Sequence, residues 1–139
     1  MRRVVIVAFP GVQTLDVTGP AEVFRAAGLI KPPGYEVTVA AEEEGPLATS
    51  TVSFVPDVRL DRVKGPLDTL IVAGGTGARR AEEHPWLVDW IAEAATRSRR
   101  VASVCTGAFL LARAGLLDGR RATTHWTSCA DLEQRYPAV

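Results

Sequence analysis

Long hydrophobic runs are missing from this sequence, and so is any excess of charge. No apolar stretch approaches the ~20 residues that a membrane-spanning helix needs, which excludes one here. The opening MRRVVIVAF lacks the long apolar centre and small-residue cleavage site of a signal peptide, and it runs straight into GVQTLD. It reads as a first strand. Lys+Arg and Asp+Glu each count 16, a formal net charge of +0. Nucleic-acid binding needs a concentrated basic surface, so a DNA-binding module inside these residues is not expected. Cysteine is scarce as well. Cys105 and Cys129 are the only two, spaced for neither a disulfide framework nor a zinc site. The expected setting is reducing and cytoplasmic, with no membrane contact, no metal and no organic cofactor. Internal repeats and low-complexity segments are absent too.

What is present is an ordinary globular composition. The 139 residues are 47% hydrophobic and 23% charged, enough for one domain and not two. Arg3–Phe9 is a nearly continuous β-branched run, suited to a central parallel strand buried on both faces. Gly19-Pro20-Ala21-Glu22 reads as a helix start, with Gly19 as cap and Pro20 first. That helix is expected to end near Gly28. Tyr35–Ala41 alternates as a second strand, and Glu42–Glu44 reads as a solvated acidic tip. Thr49–Val55 suits a hairpin or edge strand. Leu67–Ala73 is another buried-type strand, ending in Gly74-Gly75. Pro85 opens a helix whose Trp86, Leu87, Trp90, Ile91, Ala94 and Ala95 repeat at helical spacing and read as core. Arg100–Val104 is a short strand, Ala108–Ala114 an apolar helix, Arg121–Thr124 a short strand and Thr127–Arg135 a last amphipathic helix. Strands alternating with helices imply an α/β domain with a mostly parallel sheet.

In such sheets ligands bind at the carboxyl ends of the strands. Asp16, Gly74-Gly75 and Cys105 all fall there. Cys105 stands between the strand VASV and the helix AFLLARA, with Gly107 two residues on. This is the setting of a nucleophile elbow, where a tight turn pushes the side chain outward. The helix start favours the reactive thiolate, and the Thr106 N–H is placed to hold an oxyanion. The bland alternative is a buried cysteine acting as a small hydrophobe. Gly75 lets a second N–H approach a ligand; alone it is only a strand-ending turn. Asp16, left without a capping role by Gly19, is a candidate proton carrier. His125 follows Cys105 by 20 residues and is either a partner for the thiol or a hydrogen-bonded structural residue. His84 reads as a surface cap and Cys129 as packing.

Two long motifs now bear on identity. VVIVAFPGVQTLDVTGPAEVF and SVCTGAFLLARAGLLDGRRATTHW resemble the ThiJ/PfpI superfamily, also described as class I glutamine amidotransferase-like. Within it the chain looks most like the N-terminal domain of AraC-family (GlxA-like) transcriptional regulators and like isonitrile hydratase. The resemblance implies a flavodoxin-like three-layer sandwich. It implies that Cys105 is the elbow cysteine and Asp16 its acidic partner, with Gly75 matching the glycine after the middle strand; His125 stays a candidate ligand residue on its position alone. In isonitrile hydratases the matching Cys, Asp and Thr, here Cys105, Asp16 and Thr106, are the residues implied in catalysis. Peptidase and glyoxalase-like branches place His directly after the Cys. Thr106 stands there instead, which argues against those activities.

The regulator branch implies a small-molecule sensor that dimerises and reaches DNA only through a C-terminal region outside these residues. The hydratase branch implies conversion of an isonitrile to an N-substituted formamide. A redox-sensitive member with an oxidisable Cys105 is a minor alternative. Superfamily domains usually continue past the YPAV point, so residues 1–139 are expected to form a domain lacking its C-terminal part, with some apolar surface uncovered.

Overall fold

The computed structural model describes residues 1–139. Strand β1 (Arg2–Val7) leads to helix α1 (Thr14–Ile30) and strand β2 (Tyr35–Ala41). Short strands β3 (Leu47–Ala48), β4 (Ser53–Phe54) and β5 (Val58–Arg59) follow, then β6 (Leu67–Val72). Helices α2 (Ala78–Glu82) and α3 (Pro85–Thr96) precede β7 (Ser98–Ser103), and α4 (Gly107–Arg113) and α5 (Cys129–Arg135) complete the chain. Five strands form one parallel sheet in the order β5-β2-β1-β6-β7, while β3 and β4 pair as a separate antiparallel hairpin. This is the parallel α/β architecture that the alternation predicts and the flavodoxin-like fold that the resemblance implies.

The two most apolar strands lie side by side at the middle of the sheet. Val4 pairs with Thr69 and Val7 with Val72. Val4–Val7, Leu70 and Val72 are essentially inaccessible to solvent. A strand covered on both faces reads as a continuous hydrophobic run because neither side chain direction meets water. Helix α1 packs on β1 and β2, while α3 and α4 pack on β6 and β7.

Several local expectations change. Helix α1 starts at Thr14, so Pro20 lies inside it. The Thr14 N–H donates to Ser50 Oγ at 3.0 Å, and a donor left open by the helix end is thus satisfied from the distant β3–β4 turn. Rules based on neighbouring residues miss a cap of that kind. Arg121–Thr124 is not a strand; the Thr124 hydroxyl donates to the Cys105 carbonyl instead, at 2.9 Å. In α3 the buried face is Leu87, Val88, Ile91 and Ala94, and Trp86 is exposed. Cys129 is exposed at the start of α5, where Leu132 is the packing residue. Glu42 is more than a solvated tip: its carboxylate pairs with His84 Nε2 at 2.6 Å. Strand β5 and helix α2, of two and five residues, are too short to show a period.

Candidate functional site

Three loops meet at the carboxyl ends of β1, β6 and β7. The turn after β7 carries Cys105, a free and half-buried thiol. Its φ of 54° makes it the one non-glycine residue with positive φ in the chain. A left-handed residue with a Cβ is strained by about 1–3 kcal/mol, and such strain collects at functional sites. Two glycines permit the turn. A Cβ on Gly107 would lie 2.2 Å from the Val72 carbonyl, and one on Gly74 would lie 2.6 Å from the Thr106 nitrogen. The strand-to-helix turn is therefore pressed against β6 and accepts no side chain at either position.

Gly74 and Gly75 tie the other two loops together. The Gly74 N–H donates to Asp16 Oδ2 at 3.1 Å, and the Gly74 carbonyl accepts from the Gln13 N–H at 2.8 Å. The Gly75 N–H donates to Thr106 Oγ1 at 2.9 Å, and that hydroxyl faces the Gly75 carbonyl at 3.2 Å. Gly75 N–H is thus occupied by Thr106 and is not the free oxyanion donor expected from the sequence. The main-chain N–H groups of Cys105 and Thr106 are engaged by no acceptor of the chain, so the open donors lie on the elbow itself.

Asp16 is buried in the first turn of α1. Burial pushes its carboxyl above the ordinary carboxylate range, against the opposing pull of the Gly74 N–H and the charge of His125. A carboxyl in this state holds a proton more readily than a solvated one. His125 opens the short turn that leads into α5. Its Nδ1 accepts from the Thr127 N–H at 3.3 Å and contacts Thr127 Oγ1 at 2.7 Å. In the neutral ring an accepting Nδ1 leaves the proton on Nε2. The ring stacks on exposed Trp126 at 5.8 Å between centroids.

The site therefore brings Asp16, Gly75, Cys105, Thr106 and His125 to one edge of the sheet. Thr124, which steadies the elbow carbonyl, escaped the sequence reading although it adjoins His125. A small cavity of about 140 Å³ opens beside Gly75 and Thr106, lined in part by Glu82 and Arg135. No group of His, Cys, Asp and Glu residues is arranged to hold a metal ion, and no helix is long and apolar enough to cross a membrane.

The family model for DJ-1/PfpI proteins matches residues 2–138. A Streptomyces lividans protein of the cpoL 5′ region is 43% identical over 136 residues, covering 98% of this chain and 96% of that protein. An isonitrile hydratase of Pseudomonas putida is 38% identical over 119 residues, 85% of this chain and 50% of its own length. The HTH-type transcriptional regulator CdhR of Pseudomonas aeruginosa is 33% identical over 131 residues, 94% of this chain and 38% of the regulator. The chain thus spans half or less of these last two relatives. Among solved structures, a ThiJ/PfpI family protein from Pseudomonas syringae superposes with a TM-score of 0.86 at 26% identity, covering 99% of this chain and 55% of that one.

Proposed function

The chain belongs to the DJ-1/PfpI family, and from that premise we propose that it is the small-molecule-sensing domain of an AraC-type regulator, with Cys105 in the ligand pocket. One observation carries the reading: a strained elbow cysteine and a buried carboxyl share the Gly74-Gly75 turn. A folded chain keeps such strain where a ligand site depends on it. The N–H groups of Cys105 and Thr106 and the Nε2–H of His125 supply donors for a small polar ligand. The likeness to CdhR over 94% of this chain supports the regulator assignment. In this reading two copies associate, and DNA contact falls to a region outside these neutral residues.

The burial of Asp16 favours a second reading, an isonitrile hydratase. The Cys105 sulfur adds to the terminal carbon of R–N≡C, and the Asp16 carboxyl delivers the proton that this carbon needs. The product is a thioimidate, R–N=CH–S–Cys105. Water adds to its carbon, the C–S bond breaks, and R–NH–CHO leaves as the thiol regains its proton.

Incubation of the protein with an alkyl isonitrile, followed by NMR detection of the formamide, separates the two. The sensor reading expects no turnover beyond one equivalent. Sustained turnover that vanishes in a folded Cys105→Ala variant assigns the chain to the hydratases. Turnover that survives this change removes Cys105 from either role.

A further inference from the structure

A second cavity opens at the carboxyl ends of β1 and β2. It measures about 370 Å³ and is closed by the start of the β3–β4 hairpin and by the α2–α3 junction. It has no lining residue in common with the cavity beside Gly75 and Thr106. Small-ligand sites usually measure about 300–1,000 Å³ and combine apolar walls with a few polar groups. This cavity meets both conditions. Phe9, Ala41 and Leu87 form its floor, each at most 3% exposed, and Pro10, Leu47 and Ala81 add apolar wall.

Four charged or titratable side chains complete the lining. Glu43 and Arg80 are exposed and of opposite sign, so they select nothing. Glu42 and His84 are half-buried, and His84 Nε2 meets Glu42 Oε2 at 2.6 Å. Glu42 Oε1 is engaged by no donor of the chain. It is not a buried atom, and the Glu42 side chain is 38% exposed, so a ligand in the cavity can reach this oxygen.

An occupant therefore needs an apolar body and, at one end, a donor for Glu42 Oε1. A cationic donor bonds a carboxylate about twice as strongly as a neutral one. A ligand carboxylate would bring no donor and would face a like charge. We propose that this cavity is a second small-molecule site, which takes an amine with a compact hydrocarbon body. The ammonium sits on Glu42 Oε1 and the body lies over Pro10, Leu47 and Ala81. The site uses neither Cys105 nor Asp16, so it stands or falls apart from both readings of the elbow.

Cyclohexylammonium chloride is titrated into the full chain at neutral pH, and the backbone amide signals of Glu42 and Ala81 are followed by NMR. Saturable shifts are expected in wild type and in Cys105→Ala alike. Glu42→Gln keeps the size of the side chain and removes its charge, and is expected to weaken binding by about tenfold or more. Should that variant not fold, the wild-type protein decides. Cyclohexanol and sodium cyclohexanecarboxylate keep the ring and change only the head, and each is expected to bind at least about tenfold more weakly. Shifts that rise without saturation overturn the proposal. So does a folded Glu42→Gln variant that binds as well as wild type, equal binding of the alcohol or the carboxylate, or loss of binding in folded Cys105→Ala.

Discussion

Asp16 shows how one buried group links chemistry to stability. Burial sets its folded-state value above the unfolded one, so folding favours the protonated form. That contribution is complete in acid, below the unfolded value, and is lost as pH rises through the folded value. Asp16→Asn is neutral at every pH and still offers an oxygen to the Gly74 N–H. The variant is therefore expected to gain on wild type as pH rises above the ordinary aspartate range and to converge with it in acid. Thermal unfolding across that range checks the sign; a difference flat with pH would remove burial as the cause. Tyr136 gives the complementary case. Burial and its bond to Glu82 push its hydroxyl up to about 12, so it stays a donor throughout the working range.

The elbow depends on two elements approaching closely. Helix α4 starts where β7 ends, and Gly107 brings its backbone onto Val72 and Ala73 of the neighbouring strand end. Gly107→Ala inserts a methyl 2.2 Å from the Val72 carbonyl, with no flexible side chain to move aside. A loss of about 3 kcal/mol and a fall of about 10 °C in Tm are expected, together with slower alkylation of Cys105. Unchanged stability in calorimetry would mean that α4 slides freely over β6. Helix α5 is held in another way. Leu132 packs on Ala108, Phe109 and Ala112, while Arg135 and Tyr136 reach Glu82 in α2. The turn bearing His125 precedes this anchored helix and follows Thr124, whose hydroxyl holds the Cys105 carbonyl.

Across the molecule, neutrality and exposed apolar residues point the same way. Val23, Leu29 and Ile30 of α1 are 67%, 77% and 84% exposed. Helices that leave such residues in water commonly meet a partner, and a second copy satisfies them with closed symmetry. Sedimentation over rising concentration is expected to show a reversible dimer, weakened by Val23→Glu and Ile30→Glu. A monomer throughout would leave α1 for another partner.

The order of elements was legible because each long element carries its own period. VVIV and TLIV announce buried strands, and Cys105 announces an elbow because strand, turn and helix follow one another within a few residues. Asp16 was legible only as a carboxyl without a capping role, and its place in the first turn of α1 was not. Tertiary structure decided that start, since Ser50 provides the contact from 36 positions away. It also decided that Thr106 occupies the Gly75 N–H, that Thr124 holds the Cys105 carbonyl, and that Glu82 is buried. Periodicity and turn chemistry act between neighbours along the chain. Hydrogen-bond partners and burial depend on which distant segments the sheet brings together.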